Sequence, residues 1–149
     1  MGSSVLTETL RRVTPAVIAA GRYARAEAAA LIWEDASLDV RSKADPTDFV
    51  TRVDEELERR LVTFLQEEFP GSGILAEEGS EHRLGADDVW VLDPLDGTRN
   101  FIRQHPGYCV SLALVREGRP VVGLIYDITA DALYTAVRGG GAYCNGRPL

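Results

Sequence analysis

The feature that most limits this chain is a change of apolar period near Gly73. Upstream, apolar residues recur in steps of three and four; downstream they form short runs separated by turns. From Leu6 they run through Leu10, Val13, Val17, Ala20, Ala24, Ala28 and Leu31, which marks one face of a helix. Pro15, following Thr14, predicts either a kink or a fresh start with Thr14 as N-cap. The alanine spacing predicts close packing against another layer. Ser37 to Arg41 alternates and reads as a strand or extended arm; Lys43 to Asp48, with Asp45-Pro46, reads as a loop. A second helix is expected from near Thr51, burying Val53, Leu57, Leu61, Phe64 and Leu65. Asp54, Glu55 and Glu56 suit its positive N-terminal end, and Pro70-Gly71 ends it.

Past Gly73 the pattern predicts strands. Gly73 to Ala76 is a short apolar segment running into Glu77-Glu78-Gly79, and Val89 to Leu92 leads into Asp93. A short helix is expected near Gly97 to Arg103. Val110 to Val115, Pro120 to Tyr126 and Ala132 to Val137 then read as an antiparallel meander, with turns at Glu117-Gly118 and Thr129-Ala130-Asp131. Two helices followed mostly by strands predict an α+β layered domain, with helices packed on a largely antiparallel sheet.

Bulk properties narrow the function. At 149 residues one domain is expected, and 45% hydrophobic with 26% charged residues is ordinary for a globular protein. No apolar run is long enough for a transmembrane helix, and Met-Gly-Ser-Ser at the start lacks the form of a secretory signal, so a cytoplasmic protein is expected. A net charge of −7 argues against nucleic acid or an anionic membrane as partner. It would also disfavour an anionic substrate, unless bound divalent cations reverse the local sign. Cys109 and Cys144 lie far apart and are expected as reduced, buried thiols; His82 and His105 are isolated and predict no zinc site.

Asp93 to Thr98 is the segment richest in chemistry. A buried strand is expected to end at Asp93, and Pro94 to stop its ladder. Asp96 follows three residues later, so two carboxylates on one turn suit a hard cation. Gly97 permits close approach of the backbone, and Thr98 begins the expected helix, whose N–H groups favour a phosphate. Cation and anion sites side by side are what metal-assisted phosphate hydrolysis requires. Taken alone, the same segment also reads as an Asp-Pro turn with Asp96 as helix N-cap. Glu77-Glu78, read alone, is also a solvated turn, and Asp48, Thr51 and Asp54 are also simple helix capping.

Together these sets resemble the inositol monophosphatase family of lithium-sensitive phosphatases. Its Asp-Pro-x-Asp-Gly-Thr-x-Asn-Phe pattern is matched by Asp93 through Phe101, its Glu-Glu pair by Glu77-Glu78, and its Asp-x-Val-Thr-x-x-Asp by Asp48 through Asp54. Leu133-Tyr134 and Gly139-x-Gly141-Ala142-x-x-Asn145-Gly146 are similar to the family as well. The resemblance implies that Glu77, Asp93 and the carbonyl of Leu95 hold a first Mg²⁺. It implies that Asp93 and Asp96 hold a second, and that Glu77 helps hold a weaker third through waters. Gly97 and Thr98 would offer N–H groups to the phosphate, with Asp96 beside them. The Thr98 hydroxyl and Asp54 would pair to activate the nucleophilic water. Glu78 would support the site from behind, and Lys43 would approach it from a loop. The implied activity is Mg²⁺-dependent hydrolysis of a small phosphomonoester such as inositol monophosphate or a related polyol phosphate. Fructose-1,6-bisphosphatase and 3′-phosphonucleotide phosphatase relatives remain alternatives, as does a truncated, non-catalytic metal- or phosphate-binding module.

The chain departs from the family in one respect. Family members continue beyond Asn145-Gly146 into a second half, which completes an αβαβα sandwich and supplies an Asp, usually within Trp-Asp, to the second metal. Here Trp33 is followed by Glu34 and Trp90 by Val91. Residues 1–149 are therefore expected to be the N-terminal, metal- and phosphate-binding part, with the C-terminal part absent, the second metal under-ligated and an apolar face or sheet edge uncovered. A homodimer is expected, as in the family.

Overall fold

The computed structural model describes residues 2–37 and 46–149. Two helices, α1 (Gly2–Ser37) and α2 (Pro46–Glu68), precede β1 (Gly73–Ala76), β2 (Glu81–His82) and β3 (Asp88–Asp96). A short α3 (Thr98–Arg103) follows, then β4 (Cys109–Arg116), β5 (Arg119–Asp127), β6 (Ala132–Val137), β7 (Gly141–Cys144) and β8 (Arg147–Pro148). The strands form one sheet in the order β2-β1-β3-β4-β5-β6-β7-β8. Among the described strands only β1 and β3 run parallel; every other pairing is antiparallel. This is the expected α+β architecture.

α1 lies over β4, β5 and β6, and α2 over β1 and β3. The buried stripe of α1 is Leu6, Val13, Val17, Ala20, Ala24 and Ala28, and that of α2 is Val53, Leu57, Leu61 and Leu65. They meet Trp90 and Leu92 of β3, Leu112 and Leu114 of β4, and Leu124 and Tyr126 of β5 in one core. Each fully buried leucine contributes about 1.5–3 kcal/mol relative to an exposed one. The small residues of α1 let it sit close: a Cβ on Gly21 would fall 2.2 Å from the Tyr126 ring.

Several local expectations change. α1 runs through Pro15 without a fresh start, and the Thr14 hydroxyl donates to the Leu10 carbonyl at 2.7 Å rather than capping a helix. α2 begins at Pro46, not near Thr51, because proline at a helix start gives up no needed N–H; Asp48 is helical, not loop. The arm expected over residues 37–41 falls outside the described residues, apart from Ser37, which closes α1. Pro94 interrupts the β3 ladder without ending it. β3 and β4 pair as far as Asp93, shift register, and pair again at Asp96 and Cys109. The strands β7 and β8, joined by a turn at Asn145 and Gly146, were not foreseen; both residues have positive φ, and Asn145 Oδ1 accepts the Leu133 N–H at 2.8 Å. Cys109 and Cys144 are free thiols, but half-buried rather than buried.

The face of the sheet away from the helices is open. One row crosses it through Leu75, Val91, Ala113, Gly123, Ala136 and Ala142. The next passes through Asp93, Ser111, Ile125, Tyr134 and Cys144. Leu75, Val91, Ile125 and Tyr134 are exposed there. Among the described residues no helix is long and apolar enough to cross a membrane.

Candidate functional site

The parallel pairing of β1 with β3 decides where the acidic residues go. Ala76 stands beside Leu92, and the Glu77 N–H continues the ladder onto the Leu92 carbonyl at 3.0 Å. Glu77 therefore emerges next to Asp93 at the same end of the sheet, close enough for its carboxyl to raise that of Asp93. Above them stands α2, which presents Asp54, 5% exposed, whose Oδ1 has no hydrogen-bond partner among the described residues.

This corner is strongly negative. Burial, the Glu77 carboxyl and Asp96 push Asp93 up to about 7. Burial, with Glu78, Asp93, Glu77 and Glu58 around it, pushes Asp54 up to about 7 as well. Glu78 is raised by burial and by Glu77, Glu58 and Glu55. Cys109, opposite Asp96 on β4, reports the same field: burial and the carboxylates of Asp96, Asp93 and Asp127 push its thiol up to about 11. In all four groups burial is the largest cause, and neighbouring carboxylates push the same way. Among the described residues, no three acidic, His or Cys side chains stand arranged as a ready metal cage.

The turn after Asp93 is held by its own backbone and by the next loop. Asp93 Oδ1 accepts the Leu95 N–H at 3.2 Å, and the Thr98 hydroxyl donates to the Leu95 carbonyl at 3.1 Å. α3 is capped by Gly97 in the left-handed region with no side-chain cap, so the reading of Asp96 as N-cap is set aside. Only glycine fits at 97: its φ is 89°, and a Cβ would fall 2.4 Å from the Gly107 carbonyl oxygen.

Sequence reasoning missed the residues that fix this turn from outside. Asn100 Nδ2 donates to the Gly107 carbonyl at 2.9 Å. The Gly107 N–H donates to Thr129 Oγ1 at 3.3 Å, and that hydroxyl donates to Asp127 Oδ1 at 2.8 Å. Asp127 also accepts the Thr129 and Ala130 N–H groups, both at 3.0 Å. Glu58, on α2, was missed too; its carboxylate takes the Glu78 and Ser80 N–H groups.

The structure thus gathers Asp54, Glu77, Glu78, Asp93, Asp96 and Thr98 around one end of β1 and β3. The Thr98 hydroxyl is engaged with Leu95, the residue whose carbonyl was expected to face a metal. Lys43 and the side chains of Asp48 and Thr51 lie outside the described residues.

The result is an α+β layer of helices on one mostly antiparallel sheet, with acidic residues and an Asp-Gly-Thr turn at one end of the β1–β3 pair. The model of the inositol monophosphatase family matches residues 8–149, and the chain belongs to that family. It is similar to the inositol-1-monophosphatase of Bacillus subtilis, 41% identical over 111 residues, or 73% of this chain and 42% of that protein. It is also similar to Nus factor SuhB of Xylella fastidiosa, 45% identical over 105 residues, or 68% of this chain and 37% of that protein. The solved structure of inositol monophosphatase from Anabaena superposes with a TM-score of 0.79 at 32% identity, covering 97% of this chain and 49% of that one. The chain therefore spans half or less of the length of these relatives.

Proposed function

We propose that these residues form the N-terminal half of a Mg²⁺-dependent phosphomonoesterase acting on inositol monophosphate or a related polyol phosphate. The observation that carries the reading is the meeting of Glu77 and Asp93 at the end of the parallel pair, beside Asp96 and the Gly97-Thr98 turn. The donor set fits a hard divalent cation. Asp93, raised to about 7 with Glu77 and Asp96 against it, and the nearby buried Asp54 oxygen without a partner among the described residues, would each be relieved by a cation, and all the donors are oxygens. Glu77, Asp93 and the Leu95 carbonyl would hold one ion, and Asp93 with Asp96 a second; Glu77 would reach a third through water. Bound there, the cations would supply a water of lowered pKa and neutralise phosphate charge.

The chain's own residues do the rest. The Gly97 and Thr98 N–H groups orient the phosphate, and the absence of a side chain at 97 lets it approach. Asp54, raised to about 7, is poised to take a proton from water near neutrality, and the Thr98 hydroxyl would pair with it there. Glu78 sits behind Glu77, and by the resemblance Lys43 would approach the site as well.

Asp93 shares its cross-sheet row with Ile125 and Tyr134 of the open face, so the site borders uncovered apolar surface. In the family's pattern the remaining length covers that face and adds an Asp to the second metal; self-association of this chain belongs on the same face. A non-catalytic module is the second reading, favoured by the match to half or less of each relative. The test is hydrolysis of a panel of polyol, sugar and nucleotide phosphates, with and without Mg²⁺, by residues 1–149 and by a form extended to the relatives' length. The extended form is expected to turn over polyol phosphates and to lose this on Asp93→Asn, and residues 1–149 alone to be much slower. Equal turnover by the Asp93→Asn form would overturn the site.

A further inference from the structure

α2 buries two acidic side chains, Asp54 and Glu58, each 5% exposed. Four residues apart, they leave the same side of the helix toward the ends of β1 and β3. Their situations differ. Asp54 Oδ1 has no hydrogen-bond partner among the described residues, whereas Glu58 is engaged at both oxygens: Oε2 accepts the Glu78 N–H at 2.9 Å, and Oε1 accepts the Ser80 N–H at 3.0 Å. Both donors belong to the turn that begins with Glu77. The other bonds of that turn stay within the sheet. Ala76 N–H donates to the Ser80 carbonyl at 3.0 Å, Gly79 N–H to the Ala76 carbonyl at 3.3 Å, and Glu77 N–H to the Leu92 carbonyl at 3.0 Å. Glu58 supplies two hydrogen bonds that fasten this turn to α2.

Electrostatics gives no reason for a carboxylate at 58. It stands among carboxyls and helps raise both Asp54 and Glu78, so a neutral side chain would suit its neighbours better. Geometry does give a reason. A carboxylate takes two diverging N–H donors with strong, short bonds, which a glutamine amide cannot, since its NH₂ would face one of the donors.

We infer that Glu58 is a positioning residue: its carboxylate clamps the Glu77–Ser80 turn to α2 and so holds Glu77 where it meets Asp93. The inference rests on the reading of Glu77 and Asp93 as metal ligands, whose orientation depends on the groups behind them. Asp54 works at the site directly, and Glu58, one turn along, works through the backbone of Glu78 and Ser80.

The test titrates Mg²⁺ into residues 1–149 by calorimetry and follows amide hydrogen exchange at Glu78 and Ser80 by NMR. Glu58→Gln is expected to weaken Mg²⁺ binding by roughly 10- to 100-fold and to speed exchange at Glu78 or Ser80. Val13→Ala, a core change on α1 that also lowers stability, is expected to bind Mg²⁺ as the unaltered chain does. If Glu58→Gln does not fold, Glu58→Asp, which keeps the charge but draws it back by one methylene, is expected to show the same loss. Unchanged affinity in the Glu58 variant, with binding lost in Asp93→Asn, would overturn the positioning role and leave the metal site standing. Full binding by Asp93→Asn, or no Mg²⁺ binding by the unaltered chain, would overturn the site reading and the inference with it.

Discussion

The corner where α2, β1 and β3 meet and the meander of β4, β5 and β6 belong to one sheet and are built on opposite terms. In the meander, Leu112, Leu114, Val122, Leu124 and Tyr126 are buried, and the β4–β5 ladder is continuous but for one irregularity between Leu114 and Val115. In the corner, Asp54, Glu77, Glu78 and Asp93 crowd together, one buried oxygen has no partner among the described residues, and burial and neighbouring carboxylates push Asp54 and Asp93 up to about 7. The meander satisfies every rule of a stable core, and the corner breaks several within a few residues. Such local violations persist only where the surrounding structure overdetermines them. The difference teaches that this sheet anchors itself in the meander and holds its chemistry at the corner.

The largest expected effect breaks the anchor. Leu124→Ala should lower unfolding free energy by about 2–5 kcal/mol, read from urea titration. A loss below about 1 kcal/mol would mean that the meander is not where the stability lies. The next change relieves the corner. Asp54 is raised from the ordinary 3.8 to about 7, so the folded chain keeps a proton that the unfolded chain releases. The stability this contributes is fully present below about pH 4 and is lost as pH rises through about 7. Asp93, raised in the same direction, adds to the trend. In the absence of divalent cations, residues 1–149 should therefore melt lower at pH 8 than at pH 5. Asp54→Asn should gain about 1–2 kcal/mol at pH 8 and little at pH 4. Thermal unfolding across that pH range checks it, and identical profiles for the two chains would show that the corner is not strained by charge. The smallest effect lies on the open face. Val91→Thr should change stability by no more than about 0.5 kcal/mol in residues 1–149. In a form long enough to cover that face it should cost more, because the hydroxyl would then be buried.

Both regions were unequally legible in the sequence. The meander was plain because its strands alternate and its turns carry Glu117-Gly118 and Thr129-Ala130-Asp131. The corner's acidic residues were legible as a family pattern, since their spacing is local. Their mutual placement was not, because it depends on β1 running parallel to β3, a pairing that no short-range signal records. Asn100 and Gly107 meet across a loop, and Thr129 joins them from the far end of β5. The start of α2 escapes the sequence because Asp45-Pro46 reads as a loop, although proline is equally at home in a first helical turn. Glu58 did leave a trace, an acidic residue four positions after Asp54 beside the stripe of Val53, Leu57 and Leu61, which on an exposed helix face would mean nothing.

The flanks of the sheet carry a last consequence. β2 and β8, the outermost strands, are two residues long and exposed; one is Glu81-His82 and the other Arg147-Pro148. In residues 1–149, charged residues and a proline without an N–H give an incoming strand little to add to at either of these strands. When many copies of this polypeptide crowd together, they should clump through the face bearing Val91 and Ile125, giving amorphous, salt-sensitive precipitates rather than dye-binding filaments.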